Sequence, residues 1–143
     1  MDYINPKEVA GAMMTAAVNK SMLSVKDLLI RGALSGALLA ISVTLANLAT
    51  SQTSLSLIGA FVFPVGFVII VILGLELVTG SFALVPLAWF EKKITGLAML
   101  KNLFWVFAGN LIGSVLFAVM FWAASSDTGQ SAQLGAIEQL LVS

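Results

Sequence analysis

The residues best suited to chemistry lie in one short stretch, "VILGLELVTGSF", Val71 to Phe82. It carries a carboxylate, Glu76, between Gly74 and Gly80, with hydroxyls at Thr79 and Ser81. The stretch sits inside an apolar run, Leu55–Phe90, that is otherwise almost free of charge. The chain has no cysteine and no histidine. That removes disulfides, thiolate chemistry, His–Cys metal sites and histidine-based catalytic dyads. Carboxylates alone give little to build an enzyme from, so neither catalysis nor a cofactor is expected.

What such a stretch can do follows from helix physics. Gly66, Gly74 and Gly80, with Pro64 and Pro86, punctuate the run. Glycine costs about 1 kcal/mol in a helix interior and proline about 3. Five such residues around a carboxylate predict a break near Glu76–Gly80. A break exposes N–H groups at the start of the next half-helix, which Thr79 or Ser81 is placed to cap. That end carries the positive pole of the helix dipole and suits an anion at the bilayer midplane, as in transporters built on discontinuous helices. Glu76 facing such a path would repel an anion. The favoured reading is therefore structural: Glu76 accepts hydrogen bonds from loop N–H groups and holds the break in shape. A proton relay is the rival role.

The elements that must hold this stretch are membrane helices. The chain of 143 residues is 59% hydrophobic and 10% charged, with a mean hydropathy of +1.04. Soluble domains carry about 25% charged residues. The deficit and the long uncharged runs predict an all-α integral membrane protein forming a single domain over residues 1–143. The formal net charge is zero and no basic run occurs, so no nucleic-acid partner is expected. No cleavable signal is evident. Spans are expected at about 32–49, within 55–90, and at about 103–124, with an external tail over 125–143.

Charge orients them. All seven Lys and Arg fall before the first span (Lys7, Lys20, Lys26, Arg31) or between the second and third (Lys92, Lys93, Lys101). Positive segments stay cytoplasmic, which predicts an N-terminus inside and a C-terminus outside. As one straight helix, 55–90 would reach about 54 Å, too long for a single upright crossing. A hairpin would return Lys92, Lys93 and Lys101 to the outer side. A single crossing by a broken helix fits better, with irregular backbone buried or lining a cavity.

Ahead of the spans, "NPKEVAGAMMTAAVNK", 5–20, reads as an amphipathic helix. Asn5 is its N-cap, Pro6 its first residue and Glu8 stands at the capping-box position. Val9, Met13 and Ala17 share a face. It lies on the cytoplasmic membrane surface or serves as an ordinary packing helix. "GALSG" (Gly32, Gly36) and "GNLIG" (Gly109, Gly113) permit close helix contact. Asn47 and Asn110 are read as hydrogen-bonding between helices, with a pore-lining role as the alternative. Trp89, Trp105 and Trp122 are read as interfacial anchors.

These residues resemble the formate/nitrite transporter family. "GLELVTG", Gly74–Gly80, looks like that family's first signature, with Leu75 where a small residue is usual and Val78 where Phe is frequent. "GAFVFPVGF", "LKNLFWVFAGNLIGSVLF" and the front helix agree, so the resemblance spans nearly the whole chain. It implies an aquaporin-like fold of inverted three-span repeats, of which this chain is one half. It implies homopentamers in the inner membrane, each subunit passing small monovalent anions such as formate and nitrite. Phe63, Phe67, Leu77 and Val78 match residues of the pore constrictions, and Thr79 a threonine near the substrate. Gly74, Glu76 and Gly80 would structure the loop. The family's second repeat supplies a central histidine, a lysine and an asparagine. Without a histidine here, a second three-span half is expected to complete the pore. The competing reading is a small non-conducting membrane protein that packs against or scaffolds another complex.

Overall fold

The computed structural model describes residues 4–127, and every regular element among them is an α-helix. In chain order these are α1 (Pro6–Ser21), α2 (Val25–Thr53), α3 (Ser56–Val62), α4 (Pro64–Ile72), α5 (Val78–Phe90) and α6 (Gly96–Asp127). The tail beyond residue 127 lies outside the described residues.

Local chemistry starts the first two helices. Asn5 Oδ1 accepts from Lys7 N–H at 3.0 Å, and Pro6 occupies a position where a missing N–H costs nothing. Ser24 Oγ accepts from Asp27 N–H at 3.1 Å and donates to the Asp27 carboxylate at 2.6 Å. The face expected for α1 divides. Ala17 is buried where the helix packs on α5 and α6, while Val9 and Met13 are exposed.

Among the described residues, α2 and α6 are the two helices long and apolar enough to cross a membrane unaided. Both extend past the apolar spans expected at 32–49 and 103–124, because the polar flanking turns continue the helical hydrogen bonding. Large apolar side chains such as Val71, Ile72 and Leu97 point outward, more than three-quarters exposed. Lipid or another membrane segment can cover such faces, and water cannot do so cheaply.

Glycines set the α2–α6 crossing. A Cβ on Gly36 would collide with the Asn110 backbone, and one on Gly113 with the Ala33 carbonyl. One on Gly109 would meet Leu29 O at 2.9 Å. The two GxxxG patterns thus face each other and let the backbones touch.

The segment between these helices runs antiparallel to α2 throughout. Gly59 sits against Ala46 and Thr50, Gly66 against Leu38 and Ser42, and Glu76 against Ser35. α5 then continues in the same direction toward α1 and the start of α6. Phe63 keeps helical dihedrals, so α3 and α4 form one apolar unit across Pro64.

The interruption is sharp and lies earlier than expected. α4 ends in a Schellman motif: Gly74 has φ +61°, Gly74 N–H reaches Val71 O at 3.1 Å, and Leu75 N–H reaches Ile70 O at 3.0 Å. The irregular stretch is therefore 73–77, and Gly80 lies inside α5. The physical reason is Gly74: the left-handed conformation it adopts stops α4 before Glu76 is reached.

Candidate functional site

The break brings together residues from four helices. Glu76 is 4% exposed. Lys20, in the last turn of α1, donates to Glu76 Oε2 at 2.7 Å. Ser81 Oγ stands 3.5 Å from the same oxygen. The carboxylate expected to accept loop N–H groups is thus held by an ammonium and a hydroxyl instead. The Schellman motif consumes the Gly74 and Leu75 N–H groups, which leaves them unavailable to Glu76.

Lys20 is itself anchored. Asn102 on α6, buried at 1% exposure, donates through Nδ2 to the Lys20 carbonyl at 2.8 Å. Its Oδ1 has no partner among the described residues. Lys20 keeps one-fifth of its side chain exposed, so one end of the ion pair reaches solvent.

The backbone of the break is held by Asn110 on α6. Its Oδ1 accepts from Val78 N–H at 2.9 Å. Its Nδ2 lies 2.9 Å from Glu76 O, Gly32 O and Ser35 Oγ. Ser35 Oγ in turn lies 2.5 Å from Glu76 O. Neither Thr79 nor Ser81 caps α5. The N-cap residue is Leu77, which offers no side-chain hydrogen bond. Because Asn110 already takes the Val78 donor, the helix resumes before Thr79 and places Ser81 one turn inside, fully buried. The first backbone donor within α5 is Ser81 N–H, to Leu77 O at 3.0 Å. Thr79 and Gly80 therefore bring helix-start N–H groups that have no partner one turn back.

A cleft of about 490 Å³ opens over the break. Phe67, Gly74, Glu76, Leu77, Thr79 and Gly80 line it, with Lys20 beside them. Phe63 lies outside the lining and meets Phe67 edge to face at 5.3 Å. Val78 also lies outside, its N–H turned toward Asn110. Asn47 lines a second cleft between α2 and α6, away from the break, and its side chain makes no hydrogen bond among the described residues. Among the described residues no cluster of three His, Cys, Asp or Glu side chains offers a metal site.

The arrangement offers a small solute apolar walls, a hydroxyl, helix-start N–H groups and a neutralised ion pair. Lys20, Ser35 and Asn102 escaped the sequence reading. An isolated intramembrane acid does imply a basic partner, but seven bases compete for that role and spacing does not choose among them.

A discontinuous helix clamped between two helices long and apolar enough to cross a membrane is consistent with a membrane protein. Residues 7–141 match the profile described as formate/nitrite transporter, and the chain belongs to that family. The uncharacterized transporter YrhG of Bacillus subtilis is 38% identical over 127 residues, 85% of this chain and 48% of that protein. The formate channel BtFdhC of Bacillus thuringiensis is 32% identical over 127 residues, 85% of this chain and 49% of that one. A probable formate transporter of Methanothermobacter thermautotrophicus is 29% identical over 146 residues, 94% of this chain and 53% of that one. The chain spans about half the length of the curated relatives it matches. No solved structure matches it. The family is one of transporters and not of enzymes.

Proposed function

We propose that this chain forms one three-span half of a membrane channel for small monovalent anions, formate foremost and nitrite with it. The observation that carries this reading is the broken helix, whose α5 start opens on the cleft beside the pair of Lys20 and the buried Glu76. Formate is the solute named for the relatives from Bacillus thuringiensis and Methanothermobacter thermautotrophicus. Phe63, Phe67, Leu77 and Val78 supply the apolar constrictions of the path, and Thr79 its polar contact. An apolar constriction charges a bare anion heavily for lost hydration. Helix-start N–H groups at Thr79 and Gly80 offset part of that.

The pore is completed by a second three-span half of opposite topology, carried on the same polypeptide or on another chain. The assembled protein is a homopentamer of the inner membrane. The N-terminus is cytoplasmic, and α1 lies on the cytoplasmic surface with Val9 and Met13 toward lipid. The bias of the seven bases supports that orientation.

Anion flux into liposomes tests the reading. Residues 1–143 alone should pass neither formate nor nitrite. Coexpression with a C-terminal three-span half from a family member should give flux of both. Robust selective flux from residues 1–143 alone would refute the half-channel. An assembled complex that passes neither anion would refute the channel.

A further inference from the structure

The start of α5 lacks the residue that usually begins a helix. Position 77 is leucine, where serine, threonine, aspartate or asparagine would cap the free N–H groups. The cap comes instead from Asn110, 32 residues later in sequence and on another helix. Leu77 is thereby free to present an apolar side chain to the cleft.

We infer that Asn110 is a remote N-cap whose purpose is to keep position 77 apolar, and so to set which anions the path admits. This rests on the channel reading above. Three features carry the inference. The Asn110 amide joins both sides of residue 77, accepting from Val78 N–H and donating toward Glu76 O, each at 2.9 Å. It is only 9% exposed and also reaches Gly32 O and Ser35 Oγ on α2, so its own position is fixed by the α2–α6 contact. That contact is the glycine-lined crossing, where Gly32 and Gly36 both lie against Asn110. The lateral position of Leu77 is thus referred to the rigid pair of long helices, not to the loop itself. A local cap at position 77 would take the Thr79 or Gly80 N–H instead, and would place a hydroxyl or carboxylate where the cleft now has an isobutyl group. A carboxylate there would repel an anion, and a hydroxyl would lower the desolvation barrier that excludes bulkier competitors. Asn110 is in this sense a positioning residue, acting on permeation through Leu77.

The test uses proteoliposomes carrying the complete channel, this chain with its complementary half, and reads the permeability ratio of formate to the bulkier acetate. Formate flux in the unsubstituted channel is established first, so failure of the channel reading shows before any variant is made. Asn110→Ala should lower thermal stability and reduce the ratio severalfold. Asn110→Ala combined with Leu77→Ser supplies a local cap to the Thr79 or Gly80 N–H. It should recover assembly and part of the thermal stability, while the ratio stays low. Ser35→Ala removes one donor to Glu76 O, leaves the cap in place, and should assemble with an intermediate ratio, which keeps the inference testable if Asn110→Ala fails to fold. An unchanged ratio in Ser35→Ala, or recovery of the full ratio in the double variant, would overturn the proposal. So would an assembled Asn110→Ala channel that still discriminates as the unsubstituted one does.

Discussion

Lys20 Nζ lies 2.7 Å from Glu76 Oε2, joining the last turn of α1 to the break across 56 residues of sequence. The two ends of the pair differ in environment, since the carboxylate is 5% and the lysine side chain 20% exposed. Removing one partner of a buried pair costs about 3–5 kcal/mol when the other charge is left stranded. Lys20→Met strands the buried carboxylate and should lose that amount. Glu76→Gln keeps an acceptor facing Lys20, whose partly exposed ammonium can turn to water. It should lose less, roughly 1.5–3 kcal/mol. Glu76→Ala removes the acceptor altogether and should fall below Glu76→Gln. Thermal unfolding in detergent ranks the three. The opposite order for Lys20→Met and Glu76→Gln would show that the pair is solvated. A Glu76→Gln channel that assembles normally yet loses the pH dependence of flux would favour the relay role over the structural one.

Glycine replacements separate packing from propensity. Gly36→Ala and Gly113→Ala would each drive a methyl into backbone of the opposing helix, Asn110 and Ala33 respectively. Backbone cannot step aside as a flexible side chain can, so each should cost about 1–3 kcal/mol and displace Asn110 from the break. Gly11, in α1, has nothing within 4 Å of an added Cβ. Gly11→Ala should stabilise by about 0.5–1 kcal/mol through helix propensity alone. Circular dichroism melts check both signs. Equal effects at positions 11 and 36 would mean that the α2–α6 crossing is looser than its geometry shows.

Orientation is open to chemical labelling because the chain contains no cysteine. In intact cells or sealed vesicles, Ser51→Cys should react with a membrane-impermeant maleimide from outside, and Lys93→Cys only from the cytoplasmic side. Ser51 is exposed near the end of α2, and Lys93 is exposed in the turn after α5. Outside labelling at position 93 would contradict both the single crossing of 55–90 and the positive-inside orientation.

Much of this architecture was legible from local chemistry. Apolar runs mark the long helices because a bilayer demands about 20 consecutive apolar residues and self-satisfied backbone. Asn5–Pro6 and Ser24 begin their helices through bonds spanning two or three residues, so their meaning lies in adjacent letters. The break was readable from glycine and carboxylate in an apolar run, though its position was not. Gly80 was as good a candidate for its edge as Gly74, and it lies within α5.

The sequence by itself determined that this is a helical membrane protein with an interrupted helix carrying one buried acid. Only the tertiary structure decided which partners complete that interruption. Lys20 stands with Glu76, and Asn110 caps α5 while touching Gly32 and Ser35. These contacts depend on the depth and rotation at which α2 and α6 meet, set by glycines that allow backbone contact. Hydropathy reports that a face is apolar, but not the register in which two such faces interlock. A hydrogen bond between residues 32 or 56 positions apart is settled by that register to within an ångström, and periodicity along one strand of sequence carries no such coordinate.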